Sequence, residues 1–359
     1  MKIGILSMQK IPNYGSFLQA FSLKLQFEKR GHEVCFIDIV EGKHLHRIEK
    51  GKINPLKKID RYFFKRIENM IFYKKMLSVH AEDYETYLQT AKPLEAGDLF
   101  DLAVIGSDEV FNAVLPSKWG FTTQLFGDIQ NAKRVVTYAA SCGSTSYDDV
   151  IRFNIANDIN NAMSNIEHIS VRDNNTSYFV ESITRKTPQQ HLDPVFISDF
   201  DEYIPKIKSR KPYLLIYAYG NRIQDESEIA AIKKYAKTHG LDILSVGMQQ
   251  RWCKNNIVAN AFELLAYVKN AACIVTDTFH GSVFSIKYNK KFAVLIRESN
   301  KNKLGDLLCK FDLESRSVNH CDDLCKILDQ EIDKDSINRI IDLEKSKSYE
   351  YLDMITLER

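Results

Sequence analysis

Short apolar runs recur along the chain, each ending in small or polar residues, and between them lie stretches whose apolar positions return every three or four residues. The first run, Lys2 to Met8, passes through the loop QKIPNYGSF to a helix predicted from Leu18 to Gly31, then to a strand from Glu33 to Val40. Strands are predicted to follow over 95–107, 134–140, 168–172 and 191–196, with helices over 148–165 and from Thr176. A second series begins at 213–219, followed by a helix over 225–239, a strand over 241–247 and an amphipathic helix from Ala261. It closes with a strand over 273–276, a helix from Ser282, a strand over 291–296 and a helix near 302–311. Residues 321–359 read as helical.

Strand and helix alternate throughout, the pattern of parallel sheets with helices on both faces. A chain of 359 residues exceeds the size at which single cores keep growing, so two domains are expected. The pattern predicts α/β architecture with two doubly wound Rossmann-like domains facing across a cleft. The first covers 1–200 with a basic helical insertion at 43–90. A linker at 201–212 leads to the second at 213–320, and helices at 321–359 cross back to the first.

Composition narrows the function. With 49 Lys and Arg against 47 Asp and Glu, the whole chain has no pull toward nucleic acid, and no recognition motif for it is present. Residues 43–75 differ locally, carrying eleven basic residues against Glu49, Asp60 and Glu68. Ile59, Tyr62, Phe63, Ile67, Met70, Ile71 and Met76 recur there at helical spacing, which predicts a basic amphipathic helix able to rest on its own domain or on anionic lipid. The N-terminus lacks the apolar run of a signal peptide, and no stretch approaches a membrane span, so a cytoplasmic protein is expected, peripheral at the inner membrane face if that helix meets lipid. Seven scattered cysteines fit reduced thiols, and Cys321, Cys325 and His320 lack a second ligand pair, so no metal is expected.

Candidate chemistry collects where strands end, because ligands of such sheets bind beyond the carboxyl edge. The first loop offers Asn13, Tyr14, Gly15 and Ser16, with no dinucleotide-binding glycine pattern. The strand ending in DLAVIGSD delivers Ser107 and Asp108, with Asn112 one turn on; Asp108 could act as general acid or base, or cap a helix. Ser141 and Gly143 follow the next strand. Arg172 has the planar fork that suits a carboxylate or phosphate, or a salt bridge to Asp173 or Asp193. In the second half Gly220 and Arg222 follow one strand, and Thr278, Phe279, His280, Gly281 and Ser282 open a helix whose free N–H groups suit an anion. His280 can shuttle a proton, and Asp277 is expected to cap that helix.

Five blocks, NYGSFLQAFSL from Asn13, GSDEVFN from Gly106, YAASCG from Tyr138, SVRD from Ser170 and TDTFHGSVFSI after FELLAYVKNA, occur in an order that resembles the polysaccharide pyruvyltransferase family. The resemblance implies a GT-B-like fold and transfer of pyruvate from phosphoenolpyruvate, as donor substrate and without a cofactor, to two hydroxyls of a hexose as a ketal. It implies a role in capsule, exopolysaccharide or other cell-surface glycan synthesis, with a glycan or lipid-linked glycan as acceptor. Asp108 and His280 would then be catalytic and the other loop residues would bind substrate. The sequence departs from the family pattern at Glu109, where an amide is usual, at Phe111, where tryptophan is usual, and at Thr278, where some members carry an arginine. A nucleotide-sugar glycosyltransferase and a non-catalytic glycan-binding subunit are the alternative expectations.

Overall fold

The computed structural model describes residues 1–45, 63–88, 99–207, 211–220 and 222–357. Most of the basic stretch, 46–62, and part of the linker, 208–210, lie outside the described residues. The first half runs β1 (Lys2–Leu6), α1 (Tyr14–Glu28), β2 (Glu33–Phe36), α2 (Phe63–Asp83), β3 (Phe100–Asp108), β4 (Ala132–Ala140), α3 (Tyr147–Arg152) and α4 (Ala156–Met163). It continues with β5 (Ile166–His168), β6 (Ser170–Val171), α5 (Asn174–Thr184), β7 (Gln189–Gln190) and α6 (Pro194–Ile197). These strands form one sheet in the order β2-β1-β3-β4-β6-β7, with β5 also on β4, and their pairings are parallel. β3 lies inside that sheet, and its near-continuous apolar run is buried from Leu102 onward, as helix-covered parallel strands require.

The second half runs β8 (Tyr213–Tyr217), α7 (Glu226–Thr238), β9 (Asp242–Val246), β10 (Asn255–Ile257), α8 (Ala261–Asn270), β11 (Cys273–Thr276), α9 (Phe279–Lys287), β12 (Phe292–Val294), α10 (Lys301–Lys310), α11 (Asp323–Asp329) and α12 (Lys334–Leu357). Its parallel sheet has the order β10-β9-β8-β11-β12. Two parallel sheets flanked by helices give the GT-B-like architecture, and α12 returns to the first. The Tyr351 hydroxyl donates to the Thr137 carbonyl at 2.8 Å, and Arg134 Nη1 donates to the Ile355 carbonyl at 3.0 Å. Phe17 and Phe21 of α1 meet Phe262 of α8 at ring-centroid distances of 6.0 and 5.4 Å, so one apolar core joins both halves.

Three elements depart from the sequence expectation. The helix expected over 148–165 breaks into α3 and α4, with Asn154 between them in the left-handed region at φ 53°. The strand expected over 191–196 is only β7 at Gln189–Gln190: Pro194 has no N–H for a ladder, and the Asp193 carboxylate accepts from the Val195 N–H at 3.0 Å, starting α6 instead. β10 arises in a stretch read as loop. Within the basic insertion, α2 exposes Met70, Ile71 and Tyr73 beside Lys74 and Lys75. Its C-terminal Asp83 accepts from the Ala261 N–H at 2.8 Å, tying the insertion to the start of α8. No described helix is long and apolar enough to cross a membrane.

A candidate active site where two helices begin

α1 and α9 start at the carboxyl edges of different sheets and meet at their first turns. Asn13 caps α1, its side-chain oxygen accepting from the Gly15 N–H at 2.8 Å. Thr278 caps α9, its hydroxyl accepting from the Gly281 N–H at 2.9 Å. The expectation that Asp277 caps α9 is therefore corrected by one position. Asp277 points back instead and accepts from the Tyr219 N–H at 3.0 Å. It is fully buried, its Oδ2 lies 3.7 Å from Arg222 Nε, and burial pushes its carboxyl up to about 6.

Gly15 and His280 form the seam. A Cβ on Gly15 would stand 2.1 Å from His280 Cγ and Nδ1, so the glycine is required by the imidazole that occupies its space. The His280 Nε2 lies 3.4 Å from Asp193 Oδ2 and makes no hydrogen bond. The other partner of Asp193 Oδ2 is Arg172, whose Nη1 donates to it at 2.8 Å. Asp193 thus joins the arginine of one sheet to the histidine of the other. Burial alone would raise the Asp193 carboxyl, but His280 and Arg172 hold it below the usual carboxylate range.

Arg172 is buried, its guanidinium 4.1 Å from the centre of the Phe279 ring, and its Nε has no hydrogen-bond partner. Burial works against its charge, yet Asp193, Asp108, Asp173 and Glu109 together hold it above the ordinary arginine value. Asp108, in the left-handed region at φ 72°, accepts from the Ser16 hydroxyl at 2.6 Å, and its Oδ1 lies 3.9 Å from Arg172 Nη2. Asp108, Arg172, Asp193, Phe279 and His280 therefore share one continuous floor.

Two cross-links frame this floor. Glu109 pairs with Lys303 of α10, and its other oxygen accepts from the Asn112 amide at 2.8 Å. A Cβ on Gly143 would stand 2.5 Å from both Asn112 Nδ2 and Glu109 Oε2, so the small residue lets this turn close. Beside the floor lies a cavity of about 200 Å³ whose lining includes Arg172, Phe279, Lys303, Asp306 and Lys310. The Asp306 carboxylate is already held by the Asn174 backbone and side chain.

Other predicted residues sit under or beside the floor. Ser107 is fully buried, donates to the Ala139 carbonyl at 2.6 Å and does not reach the cleft. The Ser141 hydroxyl donates to Asp173 at 2.7 Å. The Ser282 hydroxyl bonds the Thr278 carbonyl within α9, and Gly281 packs on Thr276. The Tyr14 hydroxyl crosses the seam to the Ala259 carbonyl at 2.7 Å. Gly220 is exposed in the turn after β8, and the Arg222 guanidinium lies 4.8 Å from the Tyr219 ring centre. Sequence reasoning named Ser16 in the first loop and Asp193 as a salt-bridge partner of Arg172, and the structure shows both contacts; it missed Lys303 and the approach of Asp193 to His280, which no local signal marks.

A family description, Polysaccharide pyruvyl transferase, matches residues 13–299. Comparison with curated proteins gives no match. Among solved structures, the chain aligns with the glycosyltransferase SsfS6 of Streptomyces sp. SF2575 complexed with thymidine diphosphate at 10% identity, all of both chains covered and a TM-score of 0.49. Similar alignments are to spinosyn rhamnosyltransferase SpnG, at 10% identity, full coverage of both chains and 0.47, and to a putative UDP-N-acetylglucosamine 2-epimerase from Listeria monocytogenes, at 12%, 97% of each chain and 0.46.

Proposed function

This chain belongs to the polysaccharide pyruvyl transferase family, and on that premise we propose that it transfers pyruvate from phosphoenolpyruvate to two hydroxyls of a hexose as a cyclic ketal. The acceptor is a cell-surface glycan or its lipid-linked precursor. The observation that carries this reading is Arg172, a buried charged guanidinium with an unpartnered Nε, set between Asp108 and the Asp193–His280 pair at the seam of two domains.

The reaction needs an anion seat and two proton carriers. Arg172 and Lys303 line the cavity that takes the donor's carboxylate and phosphate, with Phe279 beneath. The two acceptor oxygens bond to the donor's central carbon as its bond to phosphate breaks. One hydroxyl proton ends on the methylene carbon, which becomes methyl, and the other leaves with phosphate. Asp108, steadied by Ser16, takes a proton from an acceptor hydroxyl, and His280, with anionic Asp193 behind it, delivers one.

A second reading, a nucleotide-sugar glycosyltransferase, is favoured by a different observation: Arg222 and Arg297 both act on the buried Asp277 at the edge of the second sheet, where a diphosphate could lie. Incubation of the protein with phosphoenolpyruvate and a glycan acceptor separates the two. The main reading expects phosphate release matched by an acid-labile ketal methyl signal in proton NMR. Glycosyl transfer from a nucleotide sugar, with no ketal, would replace it.

A further inference from the structure

Beyond the carboxyl end of β1 two cavities open beside the loop that leads into α1. The outer one, about 180 Å³, is lined by Lys10, Asp38, Glu41, Lys118 and Trp119 among others. The inner one, about 360 Å³, runs along α2 past Leu77, His80, Tyr84 and Glu85. They share Gln9, Lys10, Ile11 and Lys118 and so form one groove. Its inner end leads to the seam, because His80 also lines a narrow gap with Asn13, Tyr219 and Thr278. Ser7, in the floor of the outer cavity, donates to the Ser107 carbonyl at 3.1 Å, directly before Asp108.

The groove's chemistry selects its ligand. Lys10 is paired with Asp38, and with Lys118 it faces three carboxylates, Asp38, Glu41 and Glu85, so the groove does not trap an anion. What it offers is an aromatic wall, Trp119, and a buried imidazole, His80, whose Nε2 has no hydrogen-bond partner. Burial pushes His80 down to about 4, so at neutral pH the ring is uncharged and can accept from or donate to a hydroxyl. Apolar wall, uncharged polar partner and flanking carboxylates suit a polyol with one apolar face.

We propose that this groove is a saccharide subsite, holding a neutral sugar unit of the acceptor glycan next to the unit that reaches Asp108. The proposal rests on the pyruvyl-transfer reading for the word acceptor, and it assigns α2 a share in substrate choice.

The chain has two tryptophans, Trp119 in the groove and Trp252 in the second domain, where its Nε1 donates to the Ile223 carbonyl. Their indole N–H signals in ¹⁵N NMR therefore report groove and control separately. Full-length protein is titrated with a panel of neutral oligosaccharides of hexoses and N-acetylhexosamines, alongside phosphorylated counterparts. A neutral glycan is expected to shift the Trp119 signal and leave Trp252 in place, and Trp119→Ala and His80→Ala are each expected to weaken its binding at least about tenfold. Should either variant melt early, the wild-type indole shift still decides. No neutral glycan bound, binding of phosphorylated forms alone, or binding without a Trp119 shift overturns the proposal. Failure of phosphoenolpyruvate to bind while Trp119 still responds to a glycan would instead overturn the donor assignment.

Discussion

The carboxyl edges of the two sheets contribute opposite kinds of chemistry. The first edge carries charged groups that satisfy one another: Arg172 with Asp193 and Asp108, and Asp108 with Ser16. The second presents a hydroxyl cap, an imidazole and one under-partnered carboxylate, Asp277, whose Oδ2 makes no hydrogen bond. One half supplies charges paired with one another, and the other a carboxyl that burial pushes up. Their junction is steric, since Gly15 leaves the space that His280 fills. The difference explains why neither edge alone reads as a complete site.

Breaking the first edge should cost most. Arg172→Met leaves Asp193 and Asp108 buried without their cation, and chemical denaturation is expected to show a loss of about 3–5 kcal/mol. Turnover should fall by about 10²–10³-fold. An unchanged midpoint would mean that the charges of this edge do not depend on one another.

On the second edge the test is pH. Burial raises Asp277 from 3.8 to about 6, so the folded state binds its proton more readily than the unfolded chain does. Its stabilising contribution is present below about pH 4 and is lost as pH rises through about 6. Asp277→Asn keeps an acceptor for the Tyr219 N–H and removes the titration. Relative to wild type, the variant should therefore gain on the order of 3 kcal/mol between pH 4 and pH 7 in urea melts. A stability difference that is flat across that window would contradict a burial-raised Asp277 carboxyl.

The seam comes next. Gly15→Ala should destabilise by about 1–3 kcal/mol through overlap with the imidazole. In the Gly15→Ala, His280→Ala double variant most of that loss should disappear, because the ring is gone. Simple additivity of the two single losses would show that the helix starts do not interlock. Smallest is the rim, where Lys303→Gln breaks a partly exposed pair with Glu109. A loss under about 1 kcal/mol is expected, with a several-fold rise in KM for the donor and little change in kcat.

The fold was largely legible because a buried parallel strand must be apolar along its length and must end in residues that turn the chain. Except over 191–196, where a helix begins at Pro194, each such run marked a sheet position, and the polar residues after it marked a carboxyl edge. Facing was less legible. Ser107 stands directly before Asp108, yet it bonds the Ala139 carbonyl beneath the floor while the Asp108 carboxylate meets Ser16. Capping was displaced by one residue, from Asp277 to Thr278, because the Tyr219 N–H of a neighbouring strand end claims the carboxylate. Asp193 read as the end of a strand, and its bridging role depends on Arg172, 21 residues earlier, and on His280 in the other domain. Glu109 and Lys303 are 194 residues apart and meet only once α10 crosses the cleft. Local pattern fixes what lies at an edge, whereas partners across the seam come from the fold.

The most direct test of the account is phosphoenolpyruvate-dependent thermal stability of wild type, Arg172→Lys and His280→Asn, with nucleotide sugars in parallel. Wild type at a donor concentration near 100 times the dissociation constant should gain about 2.7 kcal/mol. Both variants should lose most of that gain, Arg172→Lys because it keeps the charge and loses the fork. Stabilisation by a nucleotide sugar alone, or by phosphoenolpyruvate to the same extent in all three proteins, would contradict the assignment of the donor to this seam.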